Sequence, residues 1–184
     1  MKRDLSFAVL SLSIAAALCV VGIAGLAAAQ KTMPFGGDQD VAFANNVWKA
    51  MNGYMNWRMS SNVYPGQSPH GKFLRMYCNI IDVNGKPYHA IVKDNYGGEG
   101  ASIDAVTKDP AKYLMAVTVM VQREPGYDDE DNNWFWVKYA PDGSIDTNPK
   151  GVAMAGRVAK GMKTGCIACH ANAKQGDFIF SNDE

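Results

Sequence analysis

The sequence predicts an α+β fold: a mainly antiparallel β-sheet preceded by a helix and closed by a C-terminal helical segment that carries a cysteine motif. Three observations lead there. Apolar residues recur at helical spacing early in the chain, the middle switches to a period of two punctuated by turns, and Cys166, Cys169 and His170 close the last helix-like stretch. A period near 3.6 gathers side chains on one stripe of a helix, whereas a period of two sends them to opposite faces of a strand.

Residues 1–29 read as an export signal. Lys2 and Arg3 supply a basic start, Leu5 to Ala29 holds no charged residue, and Ala27-Ala28-Ala29 before Gln30 offers the small residues a signal peptidase needs. The competing reading is an uncleaved membrane anchor. Ser11, Ser13, Gly22, Gly25 and many alanines keep the stretch only moderately apolar and favour cleavage, and Leu18 is too large to make Cys19 a lipoprotein site. The expected location is periplasmic or secreted, with membrane contact only if the segment stays. Residues 30–37 read as a linker and residues 38–184 as one domain of ordinary size.

Within that domain, Val41, Ala44, Trp48, Met51 and Met55 give a helix over Asp38–Met59, capped by Asp38 or Asp40 and ended by the Pro- and Gly-bearing stretch Asn62–Pro69. Phe73–Val83 alternates, with Leu74, Met76, Cys78 and Ile80 on one face and Arg75, Tyr77 and Asn79 on the other. That is the pattern of a half-buried strand. Asn84-Gly85 turns the chain into a second strand, Tyr88–Tyr96. Leu114–Gln122 is a third strand and Trp134–Ala140 a fourth, stopped at Pro141-Asp142-Gly143. The acidic run Asp128–Asp131 between them lacks the alternation of a calcium loop and reads as a solvated hairpin loop. Residues 152–170 read as helical.

Composition narrows the function. The chain of 184 residues is 47% hydrophobic and 20% charged, as a folded domain is, and its formal net charge is zero. Nucleic acid is not an expected partner, because phosphate binding needs an excess of Lys and Arg.

Cys166-Ile167-Ala168-Cys169-His170 is the strong chemical signature. Two thiols separated by two residues can each add to a vinyl group of one porphyrin, and the next imidazole then lies beneath the iron. A redox dithiol belongs near the start of a βαβ unit, not near a C-terminus. A zinc site would have to recruit Cys78, His70 or His89, and a disulfide leaves His170 unexplained. The expected cofactor is therefore one covalent haem c on Cys166 and Cys169, with His170 as the proximal iron ligand and Cys78 a buried thiol. Downstream of the motif, Ala171–Glu184 holds no Met or Cys. The other side of the iron is filled from upstream by His70, His89 or a Met, or it is open to small ligands. The strand pattern of Phe73–Ala140 argues against a four-helix cytochrome.

Several further pieces stand in order along the chain: His70-Gly71 before a strand ending near Asn79; Ile91-Val92-Lys93-Asp94 with Tyr96; Pro125-Gly126-Tyr127-Asp128; Trp134-Phe135-Trp136; Pro141-Asp142-Gly143; Gly165 before the cysteine motif; and Asp177-Phe178-Ile179-Phe180. In this series the chain resembles the cytochrome P-460 family, which includes the β-rich cytochromes c-prime-beta, over roughly Trp48 to Phe180. The resemblance implies an antiparallel β fold and a high-spin haem with His170 proximal and no distal protein ligand. It also implies one of two activities. Founding members oxidise hydroxylamine with a strand lysine cross-linked to the haem edge, and Lys93 matches that lysine most nearly. Relatives without the cross-link bind nitric oxide or carbon monoxide.

Three functions follow as expectations: an open-iron cytochrome that carries electrons or binds small nitrogen oxides or carbon monoxide; a hydroxylamine-oxidising enzyme using Lys93; and a six-coordinate electron shuttle using His70, His89 or a Met. By strand alternation, Lys93 shares a face with His89 and Ile91 and is expected in solvent if Ala90 and Val92 face the core. Only a sheet covered on both sides would bring its amine to a haem. His70 reads as a hydrogen-bonded structural histidine. Arg157, Lys160, Lys163 and Lys174 around the motif read as solubilising charges that a redox partner protein could also use.

Overall fold

The computed structural model of the chain describes residues 34–181. The stretch read as an export signal lies outside them, as does the start of the linker.

Helix α1 spans Asp38–Ala50. Gly37 is its N-cap and gives no side-chain cap, so the expected capping by Asp38 or Asp40 is not made. Both carboxylates instead lie in the first turn, where the helix dipole favours them. The helix stops short of Met59 because Gly53 takes a left-handed φ of 75° and the chain re-forms as a single tight turn at Tyr54–Asn56.

Among the described residues the sheet has seven strands: β1 Met59–Ser60, β2 Tyr64–Pro65, β3 Phe73–Val83, β4 Lys86–Tyr96, β5 Leu114–Gln122, β6 Trp134–Tyr139 and β7 Ala155–Gly156. The order β1-β3-β4-β5-β6-β7 is antiparallel throughout, with β2 also on β3. Two short helices, α2 Ile103–Lys108 and α3 Pro110–Tyr113, bridge β4 to β5. Ser102 caps the first with its hydroxyl on the Ala105 amide, and Asp109 caps the second on Lys112.

Register decides which side chains meet. Met76, Lys93, Thr118 and Lys138 stand opposite one another across four strands, and Cys78, Ile91, Met120 and Trp136 form the next row on the same face. The opposite face carries Tyr77, Val92, Val119 and Val137 and packs with Ala44, Val47 and Met51 of α1. On the first face, Ile91, Met120, Trp134 and Trp136 pack with Ile167 and Phe178. The sheet is therefore covered on both sides. This corrects the half-buried reading of β3, where Tyr77 is buried against α1, Met76 and Cys78 are half-buried under the C-terminal segment, and Ile80 is exposed.

The last helix, α4, is Cys166–His170, one turn rather than the longer run over 152–170. Positive φ at Gly156, Ala159, Gly161 and Gly165 breaks that run into turns, and β7 forms within it on the edge of β6. Phe35, within the stretch read as linker, bridges Gly156 and is buried in the same cluster.

Candidate functional site

One turn of α4 sets Cys166 and Cys169 three residues apart, hence on the same side of the helix. Neither forms a disulfide. Cys166 is half-buried and Cys169 exposed, while Ile167 between them is buried against the sheet. Burial pushes the Cys166 thiol pKa up, so the sulfur is held as a thiol.

His170 ends the turn and is buried, with its Nδ1 2.6 Å from the carbonyl oxygen of Phe178. A carbonyl only accepts, so Nδ1 carries the proton and donates, leaving the Nε2 lone pair for a metal. Burial, helped by the charges of Lys93 and His70, lowers its pKa to about 4, which keeps the imidazole neutral at pH 7. Phe178 adopts a φ of 67°, uncommon for a side chain of its size, to present that carbonyl. Around the His170 ring stand Trp136 at 4.8 Å, Phe180 at 5.3 Å and His70 at 6.0 Å between ring centres.

Lys93 is not in solvent. It is 7% exposed and its ammonium donates to the Phe180 carbonyl oxygen at 2.5 Å. The expectation of a solvated strand lysine fails because the Ile91–Lys93 end of that β4 face lies under the C-terminal segment, while α1 covers the other face. The structure thus brings Lys93 and His170, far apart in sequence, to one turn of chain.

His70 joins them through Asn95, whose side-chain oxygen lies 2.9 Å from His70 Nδ1 and accepts from the Gly71 amide at 3.2 Å. The Asn95 amide nitrogen donates to the Lys93 carbonyl and to Thr118 Oγ1. Burial lowers the His70 pKa, partly offset by Asn95. His89 is placed apart: it is exposed and lines a cleft of about 530 Å³ with Cys78, Ile91, Trp134 and Ile179. Sequence reasoning passed over Asn95, although its position two residues from Lys93 on the same strand face was a usable signal.

Two other expectations changed. The acidic loop is not simply solvated: Asp128 is buried, and Lys160 binds Asp128, Glu130 and Asp131 together. Lys160 is thereby committed within the fold and is not a free docking charge; Lys163 and Lys174 are exposed. Among the described residues no cluster of three or more His, Cys, Asp or Glu side chains could hold a metal ion, and no helix is long and apolar enough to cross a membrane.

The residues fit a haem. A neutral imidazole oriented through Nδ1, two unpaired thiols on the preceding turn, and walls of Ile91, Met120 and Trp136 supply ligand, attachment points and apolar packing. The buried Trp136 indole N–H has no protein partner among the described residues, which leaves a donor for a bound group. The sequence profile described as cytochrome P460 matches residues 51–181, most of the chain. No curated protein and no solved structure matches the chain.

Proposed function

Because the chain belongs to the cytochrome P460 family and is a haem protein, we propose that it is an exported cytochrome with a single haem c. In this reading the haem is bonded to Cys166 and Cys169 and ligated by His170. The opposite iron position is open and takes small nitrogen oxides or carbon monoxide, or the protein passes electrons to a redox partner. The observation that carries this is the His170 imidazole, buried, neutral and fixed through Nδ1 by the Phe178 carbonyl directly after two free thiols. Haem iron supplies the redox change and the coordination position. The chain supplies the orienting carbonyl, an apolar wall that excludes water, and a buried cation at Lys93.

Expression with a cytochrome c maturation system tests it. Haem should stay with the chain after acid–acetone extraction, and Cys166→Ala with Cys169→Ala should release it. Resting ferric protein should be high-spin by electron paramagnetic resonance. Extractable haem refutes the covalent assignment, and a low-spin resting state refutes the open iron.

The burial of Lys93 beside His170 favours a second reading. A lysine in this place is positioned for the haem-edge bond of the hydroxylamine-oxidising members that the sequence resembles. A ferrous absorption band far to the red of ordinary haem c would favour that enzyme.

A further inference from the structure

Four carbonyls of the turn that follows α4 each take a side-chain donor. Asn132 Nδ2 donates to the Gly176 carbonyl oxygen at 2.9 Å, and Trp134 Nε1 to that of Asp177 at 2.9 Å. His170 Nδ1 then donates to Phe178 and the Lys93 ammonium to Phe180. Phe178 has a φ of 67°, which a bulky side chain does not hold unaided. Within the turn itself the Ile179 N–H donates to Asp177 Oδ1 at 2.9 Å. The anchors at Gly176 and Asp177 come from the β5–β6 hairpin. Trp134 opens β6 and is 4% exposed, and Asn132 lies just before it with a left-handed φ of 53°. Lys160 ties the same hairpin to the chain ahead of Cys166. The hairpin therefore grips the cysteine motif on both flanks.

We infer that Trp134, with Asn132 beside it, is the positioning residue of His170: its indole N–H anchors the turn so that the Phe178 carbonyl stays on Nδ1. This rests on the reading of His170 as the iron's ligand and needs nothing of the opposite iron position. A hydrogen bond from Nδ1–H to an acceptor raises the basicity of the imidazole and strengthens its bond to iron. A stronger donor favours the ferric over the ferrous state. An anchor that sets this bond is therefore read at the metal, whereas one that only holds the fold is read in stability alone. Trp134 carries most of the effect, because its bond to Asp177 is part-buried, while the Asn132 bond is exposed and competes with water.

The test uses the haem-loaded protein and three charge-neutral variants. Trp134→Phe keeps an aromatic ring and removes the N–H. Asn132→Gly removes the second anchor and suits the left-handed backbone. Asn133→Gly is the control: its φ is 59°, and its side-chain bonds, to the Asp128 N–H and to Asp129, stay within the loop. Reduction potential is read by spectroelectrochemical titration, the iron–histidine stretch of the ferrous protein by resonance Raman, and stability by urea unfolding. Trp134→Phe should raise the ferrous-to-ferric ratio at a fixed potential about threefold, which part of the worth of one hydrogen bond supplies, and should lower the stretch. Asn132→Gly should move both the same way by less, and it decides the matter if Trp134→Phe does not fold. Water let in by the smaller ring would stabilise the ferric charge and push the ratio down instead. Asn133→Gly should lose stability and leave both readouts in place. The inference is overturned if the anchor variants lose stability with ratio and stretch unmoved, if the ratio falls, or if Asn133→Gly shifts both as far as they do. His170→Gly checks the underlying reading separately, since haem held by its thioethers should then lose the stretch. A stretch that survives in His170→Gly, or is missing from the wild type, refutes five-coordinate ligation by His170 and takes the inference with it.

Discussion

The Lys93 ammonium and the His170 imidazole are held by one turn of chain, the first by the Phe180 carbonyl and the second by the Phe178 carbonyl. A strand in the middle of the sheet and the helix that ends in His170 thereby share a support. Burying an ammonium costs several kcal/mol unless it is bonded, so the turn keeps the charge inside as well as orienting the ring.

The first prediction concerns the amine of Lys93. In the open-iron cytochrome it is held by non-covalent contacts and forms no bond to haem, so a tryptic digest of the loaded protein should place haem on one peptide, that containing Cys166 and Cys169. Lys93→Arg, which keeps the charge without a primary amine, should leave the ferrous spectrum unchanged. Haem joined also to the peptide containing Lys93, with a red-shifted band that returns to normal in Lys93→Arg, would assign the enzyme instead.

Lys160 gives a second prediction. It meets Asp128, whose side chain is 2% exposed, together with Asp131 and the largely exposed Glu130. Burial raises the Asp128 pKa while the Lys160 ammonium pulls it down. Lys160→Met strands a buried carboxylate and should cost about 2–3 kcal/mol in urea unfolding. Adding Asp128→Asn should recover more than half of that loss, because the stranded charge goes with it. Two variants whose costs simply add would show that the pair is not coupled.

Much of this was legible in the sequence, for a physical reason that also marks where it stopped. Phe73–Val83 has the bounds the alternation predicts, since a period of two over many residues leaves little freedom, and Leu114–Gln122 has those its run rich in Val, Met and Thr predicts. The cysteine motif is local chemistry and needs no tertiary information. The fate of Lys93 was not legible, because alternation states which residues share a face but not what covers that face. The C-terminal run failed as a long helix for a related reason: Ala159, Gly161 and Gly165 take left-handed turns that wrap the segment over Trp136 and set Lys160 among carboxylates of a distant loop. Neither contact has a signature in local spacing.

The last prediction lies on the face opposite Lys93. Asp94 is completely buried and accepts from Tyr54 Oη at 2.6 Å and Tyr96 Oη at 2.7 Å. Burial raises its pKa above the ordinary carboxylate value, with the tyrosine hydroxyls opposing but not overcoming the shift. A carboxyl whose folded pKa is raised binds its proton more tightly in the native state. Its contribution to stability is therefore full below the unfolded pKa and is lost as pH rises through the folded one. Wild-type stability should accordingly carry a component that falls as pH is raised from about 4 toward neutrality. Asp94→Asn has no proton to lose, and its amide can both accept from one tyrosine and donate to the other. The difference in unfolding free energy, Asp94→Asn minus wild type, should grow in favour of the variant across that range. A difference that is flat with pH would mean that Asp94 titrates alike in both states, and one that shrinks would mean that the two tyrosines hold it below the ordinary carboxylate range.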